Sequence, residues 1–176
     1  MRYPIPMTVT SQQTRPTPSG PHLPEELVAS ATFLLKRLGF AAKERAMEAY
    51  EPTGLHPYHH AILLVLDEGS RETQGAIADA LGYDRGQLVG LLDELEEQGL
   101  VERRRDPSDR RRHLVRLTPD GKRSLRRLRA LARQLEDDFL APLSDDERAS
   151  LHALLLRLAE QHEPRCAFLP SAAPKN

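Results

Sequence analysis

Arginine side chains are concentrated in one part of this sequence, the segment VERRRDPSDRRRHLVRLTPDG at residues 101–121. Between residues 101 and 133 the chain carries thirteen Lys or Arg and four Asp or Glu, whereas the whole chain has a formal net charge of −1. A positive field confined to one region attracts polyanions, and the planar guanidinium group suits phosphate oxygens and guanine edges. The segment therefore predicts binding of nucleic acid, with a strong dependence on salt concentration.

The basic segment is typical of a two-stranded β-hairpin whose tip lies at residues 106–110, where Asp106 before Pro107 is a natural turn former. An exposed basic hairpin beside a pair of helices is suited to binding nucleic acid. The candidate contacts on the hairpin are Arg104, Arg105, Arg110, Arg111 and Arg112.

A second group of residues, His56, Tyr58, His59 and His60, could bind a metal ion or a small molecule. The three histidines are spaced by three and four residues, so their ring nitrogens could converge on a metal. No Cys, Asp or Glu sits with the group, which counts against that interpretation. A pocket for an aromatic or acidic ligand, with His and Tyr as polar anchors, is the second interpretation. The third is ordinary histidine at a helix start or dimer contact, where it could make binding respond to pH.

Two short predicted helices, at residues 74–81 and 85–98, stand directly before the hairpin. Thr73 and Asp84 are suitable N-caps for them, and their spacing is that of a helix-turn-helix. The predicted buried stripe of the second helix is Leu88, Leu91, Leu92 and Leu95. The opposite face is therefore the predicted DNA-reading surface. Its candidate contacts are Tyr83, which could reach a phosphate, and Arg85, Gly86, Gln87 and Gly90.

The two glycines of this helix each weaken it by about 1 kcal/mol relative to alanine. One interpretation is that a face without side chains lets the helix backbone approach a DNA groove closely. The other is that glycine is simply tolerated on an exposed helix. Acidic residues follow at positions 93, 94, 96 and 97, so only the first turns of the helix should enter a groove.

Longer amphipathic helices are predicted around the helix pair and the hairpin. One runs from Pro24 to a break at residues 52–54, and a shorter one occupies residues 57–67. Beyond the hairpin, two further helices begin at the caps Thr118 and Ser144. Pairing of the long helices in a dimer would bury their apolar stripes, and packing within a monomer is the alternative.

These patterns predict three parts of the chain. Residues 1–23, rich in Pro, Thr, Ser and Gln, are expected to be a disordered extension. The folded domain is expected at residues 24–163 and a flexible tail at residues 164–176. Within the domain, a DNA-binding core at residues 57–118 is expected between dimerisation helices at residues 24–50 and 119–163.

The composition argues against several classes of protein. The longest apolar run, residues 61–66, is too short to span a bilayer, and the N-terminus lacks a secretory pattern, so we expect a cytoplasmic protein without membrane contact. Cys166 is the single cysteine, which excludes an internal disulfide and indicates a bystander thiol. The sequence has no Gly-rich phosphate loop and no nucleophile with a base context, so we expect neither an enzyme nor a cofactor.

The order of these elements resembles the MarR family of winged helix-turn-helix transcription regulators. The strongest similarity lies in DPSDRR at residues 106–111 and LTPDG at residues 117–121, which resemble the family's wing and the start of its next helix. The resemblance implies a mostly α fold with a small β-hairpin, built as a winged helix-turn-helix with N- and C-terminal dimerisation helices. It also implies a homodimer in which the helix from Arg85 enters the major groove and the wing touches the minor groove.

The resemblance gives roles to two residues of the wing tip. Arg110 is expected to contact the minor groove or the backbone, and Asp109 to orient the arginines around it. The sequence departs from the family at residues 84–86, where relatives often carry small hydroxyl residues. Arg85 and Gln87 are therefore candidates for guanine and adenine edges, although either could be a solvated first-turn residue.

The predicted function is sequence-specific binding of double-stranded DNA by a homodimeric, ligand-responsive repressor that acts on a pseudo-palindromic operator. A small aromatic or acidic effector is expected between the dimerisation helices and the DNA-binding core. The alternative is a non-specific architectural nucleic-acid-binding protein, since arginine density gives affinity without sequence choice.

Overall fold

The computed structural model describes residues 22–69, 73–106 and 113–166, and within them the chain is mostly helical with one antiparallel hairpin. This confirms the predicted mostly α class with a small β-hairpin. The helices are α1 (Glu25–Val28), α2 (Ala31–Tyr50), α3 (Pro57–Asp67), α4 (Gln74–Leu81), α5 (Arg85–Glu97), α6 (Pro119–Phe139) and α7 (Asp145–His162). The strands are β1 (Val101–Arg105) and β2 (His113–Leu117), and short 3₁₀ turns lie at Glu51–Thr53 and Pro164–Cys166.

Polar side chains begin four of these helices as the sequence predicts. The side-chain oxygens of Thr73, Asp84 and Thr118 each accept hydrogen bonds from backbone N–H groups in the first turn of the helix that follows. Ser144 does the same for α7, and Glu147 reaches back to the Ser144 N–H, completing a capping box. These caps satisfy backbone donors that have no partner within a helix, which fixes where each helix starts.

The prediction of one unbroken helix from Pro24 to residues 52–54 is wrong. A single helical turn, α1, ends before Ser30, and α2 begins after it. The Ser30 hydroxyl accepts a hydrogen bond from the N–H of Phe33 at 3.3 Å. Serine competes with the helix for backbone hydrogen bonds, so it favours a new helix start over continuation of the old one.

The hairpin pairs β1 with β2 in a register that runs from Val101 opposite Leu117 to Arg105 opposite His113. Alternation along the strands turns one face inward, where Val101 and Val115 are buried. An isolated bridge between Thr73 and Leu114 ties the start of α4 to the hairpin. The hairpin is thus fixed to the helix pair at its base.

The core lies among α3, α4, α5, the hairpin and the first half of α6. By its contacts the chain divides into residues 1–38 and residues 39–176, and this core belongs to the second unit. All four leucines of the predicted α5 stripe are buried. Within the described ranges, no helix combines the length and apolarity needed to cross a bilayer. The largest fully buried side chains are Ile62, Leu63, Ile77, Leu88, Leu92, Leu95, Leu125, Leu128, His59 and Val115.

Gly121, in the first turn of α6, is required by a close backbone approach. A Cβ at this position would collide with the carbonyl oxygen of Leu100. That oxygen accepts a hydrogen bond from the N–H of Thr118 at 3.1 Å, which brings the end of β2 back to the start of β1. The LTPDG segment therefore encodes a cap, a proline at the first helical position and a contact that only glycine permits.

Replacing Gly121 by alanine is expected to lower the free energy of unfolding by about 1–3 kcal/mol, because overpacking against a backbone carbonyl forces the chain to shift. Gly90→Ala is the matched control, since a Cβ there meets no atom within 4 Å. Alanine stabilises a helix interior, so this variant should gain about 0.5–1 kcal/mol. Urea unfolding followed by circular dichroism measures both changes. Equal stabilities of the two variants would contradict the close contact at Gly121.

Candidate DNA-reading surface and histidine cluster

The outward face of α5 is open to solvent. Arg85, Gly86, Gln87 and Gly90 are all exposed, opposite the buried leucines. A Cβ added at Gly86 would come within 3.0 Å of the capping carboxylate of Asp84, so this glycine makes room for the cap. A Cβ at Gly90 would meet nothing, so no internal contact calls for glycine there. The prediction that Gly86 and Gly90 lie on the side opposite the leucines, with Gln87 at its edge, agrees with their exposure. DNA contact by these residues and by Arg85 stays a prediction.

Tyr83 lies next to this face but is half-buried. Its ring packs edge-on against Tyr58, with 5.7 Å between the ring centroids. Burial raises the pKa of Tyr83, and the neighbouring Tyr58 raises it further, so the phenol keeps its proton. Tyr83 can therefore donate a hydrogen bond while its ring holds the turn before α5 against the start of α3.

The hairpin arginines are only partly described. Arg104 is exposed and pairs with Glu102 of its own strand, with 3.0 Å between guanidinium and carboxylate. Arg105 is exposed as well. The predicted wing-tip residues lie outside the described part of the chain; they are Asp109, Arg110, Arg111 and Arg112.

Arg103, which sequence reasoning did not select, turns inward and fastens the hairpin to α5. Its guanidinium lies 2.6 Å from Asp93 Oδ1 and 3.5 Å from Glu96 Oε2, and its backbone N–H donates to Glu96 at 3.1 Å. Its side chain is 18% exposed. Two of the acidic residues expected to avoid phosphate are thus paired with one arginine from the same basic segment. From sequence, only the strand alternation that places residue 103 on the inward face could have suggested this role of Arg103.

His56 and His59 come together with a carboxylate that the sequence places far away. Their rings stack with centroids 3.9 Å apart, and Glu94 Oε2 of α5 lies 3.0 Å from His59 Nε2 and 4.0 Å from His56 Nε2. The expectation that no Asp or Glu accompanies the histidines is therefore wrong. The partner comes from a different helix, so no local spacing could reveal it.

His60 does not join this cluster, so the convergence of three histidines that their spacing allows does not occur. Its Nδ1 lies 2.7 Å from the hydroxyl of Tyr50, inside the core. Burial lowers the pKa of His60, with a further contribution from Arg129, and burial raises the pKa of Tyr50. Both groups are therefore neutral at neutral pH and form a buried hydrogen bond between α2 and α3. His60 faces away because consecutive residues point in different directions on a helix.

His59 is almost completely buried, with 1% of the residue exposed. Burial lowers its pKa to about 4; repulsion from His56 acts in the same direction, and Glu94 opposes it. The ring is therefore neutral at neutral pH. Its Nδ1 accepts a hydrogen bond from the N–H of His56 at 3.3 Å, at the first turn of α3.

Two cavities lie near these elements, and they differ in charge. The first, about 470 Å³, is lined by carboxylates and histidines without a Lys or Arg, which disfavours a carboxylate ligand. Its lining is Met47, Glu48, Glu51, Gly54, Leu55, His56, His59 and Glu94. The second, about 250 Å³, is mainly apolar and includes Arg45, whose guanidinium lies 5.3 Å from the ring centroid of Phe139. Its lining is Ala42, Arg45, Ala46, Leu135, Glu136, Phe139 and Leu140.

Arg103→Ala is expected to lower the free energy of unfolding by about 1–2 kcal/mol, because it removes two ion pairs and the packing of a largely buried side chain. Arg104→Ala removes the same side chain from an exposed pair, so its effect on stability should stay within about 1 kcal/mol. Urea unfolding of both variants measures the difference. If Arg103→Ala were as stable as Arg104→Ala, Arg103 would not anchor the hairpin.

Comparison with known proteins places the chain in a family. A sequence profile of the MarR family matches residues 53–112. A Thauera aromatica protein named as a transcriptional regulatory protein for the hcr operon is 36% identical over 130 residues, which cover 73% of this chain and 78% of that protein.

Solved structures agree with the sequence relatives. The transcriptional repressor CouR bound to a 23-mer DNA duplex is 35% identical with a TM-score of 0.71, covering 79% of this chain and 99% of that one. CouR from Rhodococcus jostii RHA1 bound to p-coumaroyl-CoA is 32% identical with a TM-score of 0.65, covering 77% and 96%. With its helix-turn-helix, its basic hairpin and these relatives, the chain belongs to the MarR family of winged helix-turn-helix transcription regulators, which are DNA-binding proteins and not enzymes.

Proposed function

We propose that this chain is a homodimeric repressor whose helix α5 reads a pseudo-palindromic operator and whose DNA affinity responds to a small effector. The observation that carries the proposal is the division of α5 into two faces, with leucines buried and Arg85, Gln87 and Gly90 exposed. The acidic Asp93 further along is held by Arg103. The similarity to a repressor solved on a DNA duplex supports this use of the exposed face.

In the proposed complex the first turns of α5 enter the major groove. Arg85 donates to guanine edges and Gln87 pairs with adenine. The bare helix surface at Gly86 and Gly90 allows close approach of the backbone, and the Tyr83 hydroxyl donates to a phosphate. The carboxylates of the later turns stay outside the groove.

The hairpin supplies the remaining DNA contacts in this proposal. The exposed guanidinium groups of Arg104 and Arg105 neutralise phosphates. At the wing tip Arg110, Arg111 and Arg112 reach the minor groove or the backbone, and Asp109 orients them. Phosphate contacts position the protein on the duplex, whereas base contacts specify the sequence.

Dimerisation is proposed through the apolar surfaces that the single chain leaves exposed. On α7, Leu154, Leu155 and Leu158 are 53%, 39% and 48% exposed. On α2, Leu34, Leu35 and Leu38 are each more than two-fifths exposed. Such rows of exposed leucine mark an interaction surface. The assignment of residues 24–50 and 119–163 to dimerisation, around a core at residues 57–118, is part of this proposal.

Sequence alone pointed to His56, Tyr58, His59 and His60 as the anchors of an aromatic or acidic effector. The carboxylates that line the cavity at His56 and His59 disfavour an acid there, so we propose the cavity that contains Arg45 and Phe139 instead. Its apolar lining suits a ring, and the Arg45 guanidinium suits a carboxylate or thioester oxygen. The p-coumaroyl-CoA complex of CouR supports an aromatic acyl compound as the class. In one conformation of the dimer the two α5 helices match successive major grooves, and in another they do not. The effector would release DNA to the degree that it binds the second conformation more tightly than the first.

Arg85→Ala and Gln87→Ala are each expected to weaken binding to the operator by about 1–3 kcal/mol and to affect random duplex much less, because each removes a base contact. Arg104→Ala should weaken both and reduce the salt slope by about 1, as a phosphate contact does. The operator is selected from genomic fragments that the protein retains, and fluorescence anisotropy at several salt concentrations gives the affinities. Equal affinity for the selected fragment and for random duplex would favour the architectural alternative and contradict the proposal.

Leu154→Lys combined with Leu158→Lys is expected to convert the dimer into folded monomers, because a dimer would then bury two unpaired charges per chain. Glu160→Lys is the control, since it introduces the same side chain at an exposed polar position of α7. Light scattering after size exclusion measures the molar mass, and circular dichroism confirms folding. A double variant that keeps the mass of two chains would rule out this surface as the interface.

A further inference from the structure

We propose that His56, His59 and Glu94 bind a divalent transition-metal ion of the zinc class and that this ion links the start of α3 to the DNA-reading helix α5. The second half of this statement rests on the proposed function of α5. The first half concerns the metal alone and is tested separately.

The donor atoms of the three residues already lie close together. One nitrogen or oxygen from each residue lies within 4.8 Å of the others. In a tetrahedral zinc site with nitrogen and oxygen donors, the ligand atoms are separated by about 3.4 Å. The observed separations of 3.0 Å and 4.0 Å from Glu94 Oε2 lie on either side of that value. The His56 and His59 rings are stacked, so the His56 ring must turn out of the stack before both Nε2 atoms point at one ion. The side chains of His56 and Glu94 are 28% and 56% exposed, which leaves them room to turn.

His59 provides the independent indication of a ligand. Its Nε2 is buried and has no well-aligned hydrogen-bond partner among the described residues, although Glu94 Oε2 is near. A buried nitrogen held only by a poorly aligned contact is incompletely satisfied, so a better-placed ligand would stabilise it.

Metal binding at His59 Nε2 has a structural consequence at the start of α3. Nδ1 now accepts the N–H of His56 at a long 3.3 Å. When Nε2 binds an ion, Nδ1 carries the ring proton and this contact must open. The first turn of α3 therefore differs between the free and the metal-bound protein.

The charge of the surrounding cavity favours a cation. Glu48 and Glu51 line the same cavity as the three ligands, and no Lys or Arg does. Three protein ligands leave room for a water or a further carboxylate as the fourth, which is typical of an open and exchangeable site. Nitrogen and carboxylate donors together favour zinc-class ions over magnesium or calcium.

The site is connected to α5 at two points. Glu94 is itself a residue of α5, and Tyr83, directly before its cap, packs against Tyr58 of α3. An ion bound to all three residues would hold this turn of α5 at a fixed distance from the start of α3, while the tyrosine contact holds the turn before α5. DNA affinity would change only if the ion binds more tightly to one position of α5 relative to α3 than to another.

The test is titration of the full-length, untagged protein with Co²⁺, whose visible absorption reports four-coordinate nitrogen and oxygen ligation, followed by competition with Zn²⁺. The expected result is one ion per chain, a melting temperature that rises with metal concentration, and a change in the ¹⁵N shifts of His59 as its ring proton moves to Nδ1. Glu94→Gln and His56→Ala should each weaken Co²⁺ binding at least tenfold. His152→Ala, Glu97→Gln and Cys166→Ser, which change exposed groups outside the site, should bind as the parent does.

Absence of the Co²⁺ spectrum in the parent protein, or its persistence in folded Glu94→Gln and His56→Ala, would overturn the site. The link to α5 is read separately, as operator affinity with Zn²⁺ and with chelator. Bound metal with unchanged DNA affinity would overturn the link. Failure to bind any selected duplex in either condition would refute the proposed function, whereas the Co²⁺ result would stand on its own.

Discussion

The proposed DNA-reading surface depends on burial of the leucine face of α5. Leu88, Leu91, Leu92 and Leu95 are each at most 6% exposed, and burial of one such side chain contributes about 1.5–3 kcal/mol. Because a helix is rigid, fixing this face against α3 and α4 also fixes the opposite face outward. The caps set where α5 begins and the glycines leave part of its surface without side chains. Neither determines which face of α5 is exposed.

The second constraint is the placement of acidic charge on the same helix. A carboxylate near a DNA groove repels phosphate, and α5 carries four carboxylates beyond its first turns. Asp93 and Glu96 are paired with Arg103, and Glu94 faces His56 and His59. The acidic half of α5 is thus used to hold the hairpin and the start of α3. Beside this acidic half, the side chains of Arg85, Arg104 and Arg105 stay exposed.

The start of α3 is where these contacts meet. The Tyr58–Tyr83 ring contact lies at the N-terminal end of α5, and the histidine–Glu94 contact lies two to three turns later. The carboxylate-lined cavity opens at the second contact, whereas the apolar cavity with Arg45 lies between α2 and α6. The two cavities differ in charge, because the first is lined by carboxylates without a cation and the second pairs one guanidinium with one carboxylate in an apolar lining. Ligands of the two cavities would therefore contact different parts of the chain.

The sequence by itself determined the features that arise from near neighbours: the caps at Thr73, Asp84, Thr118 and Ser144, the leucine period of α5, and the hairpin between residues 101 and 117. Such features depend on groups within a turn or two of one another, so their pattern is visible in the order of residues. The break at Ser30 shows that a local cap can override a long apolar period. Tertiary structure alone decided that Glu94 joins the histidines, that His60 turns to Tyr50, that Arg103 faces inward, and that Gly121 lies against Leu100. Each of these contacts joins segments brought together by burial of the common core, and nothing in the spacing of residues along the chain specifies which side chains then meet.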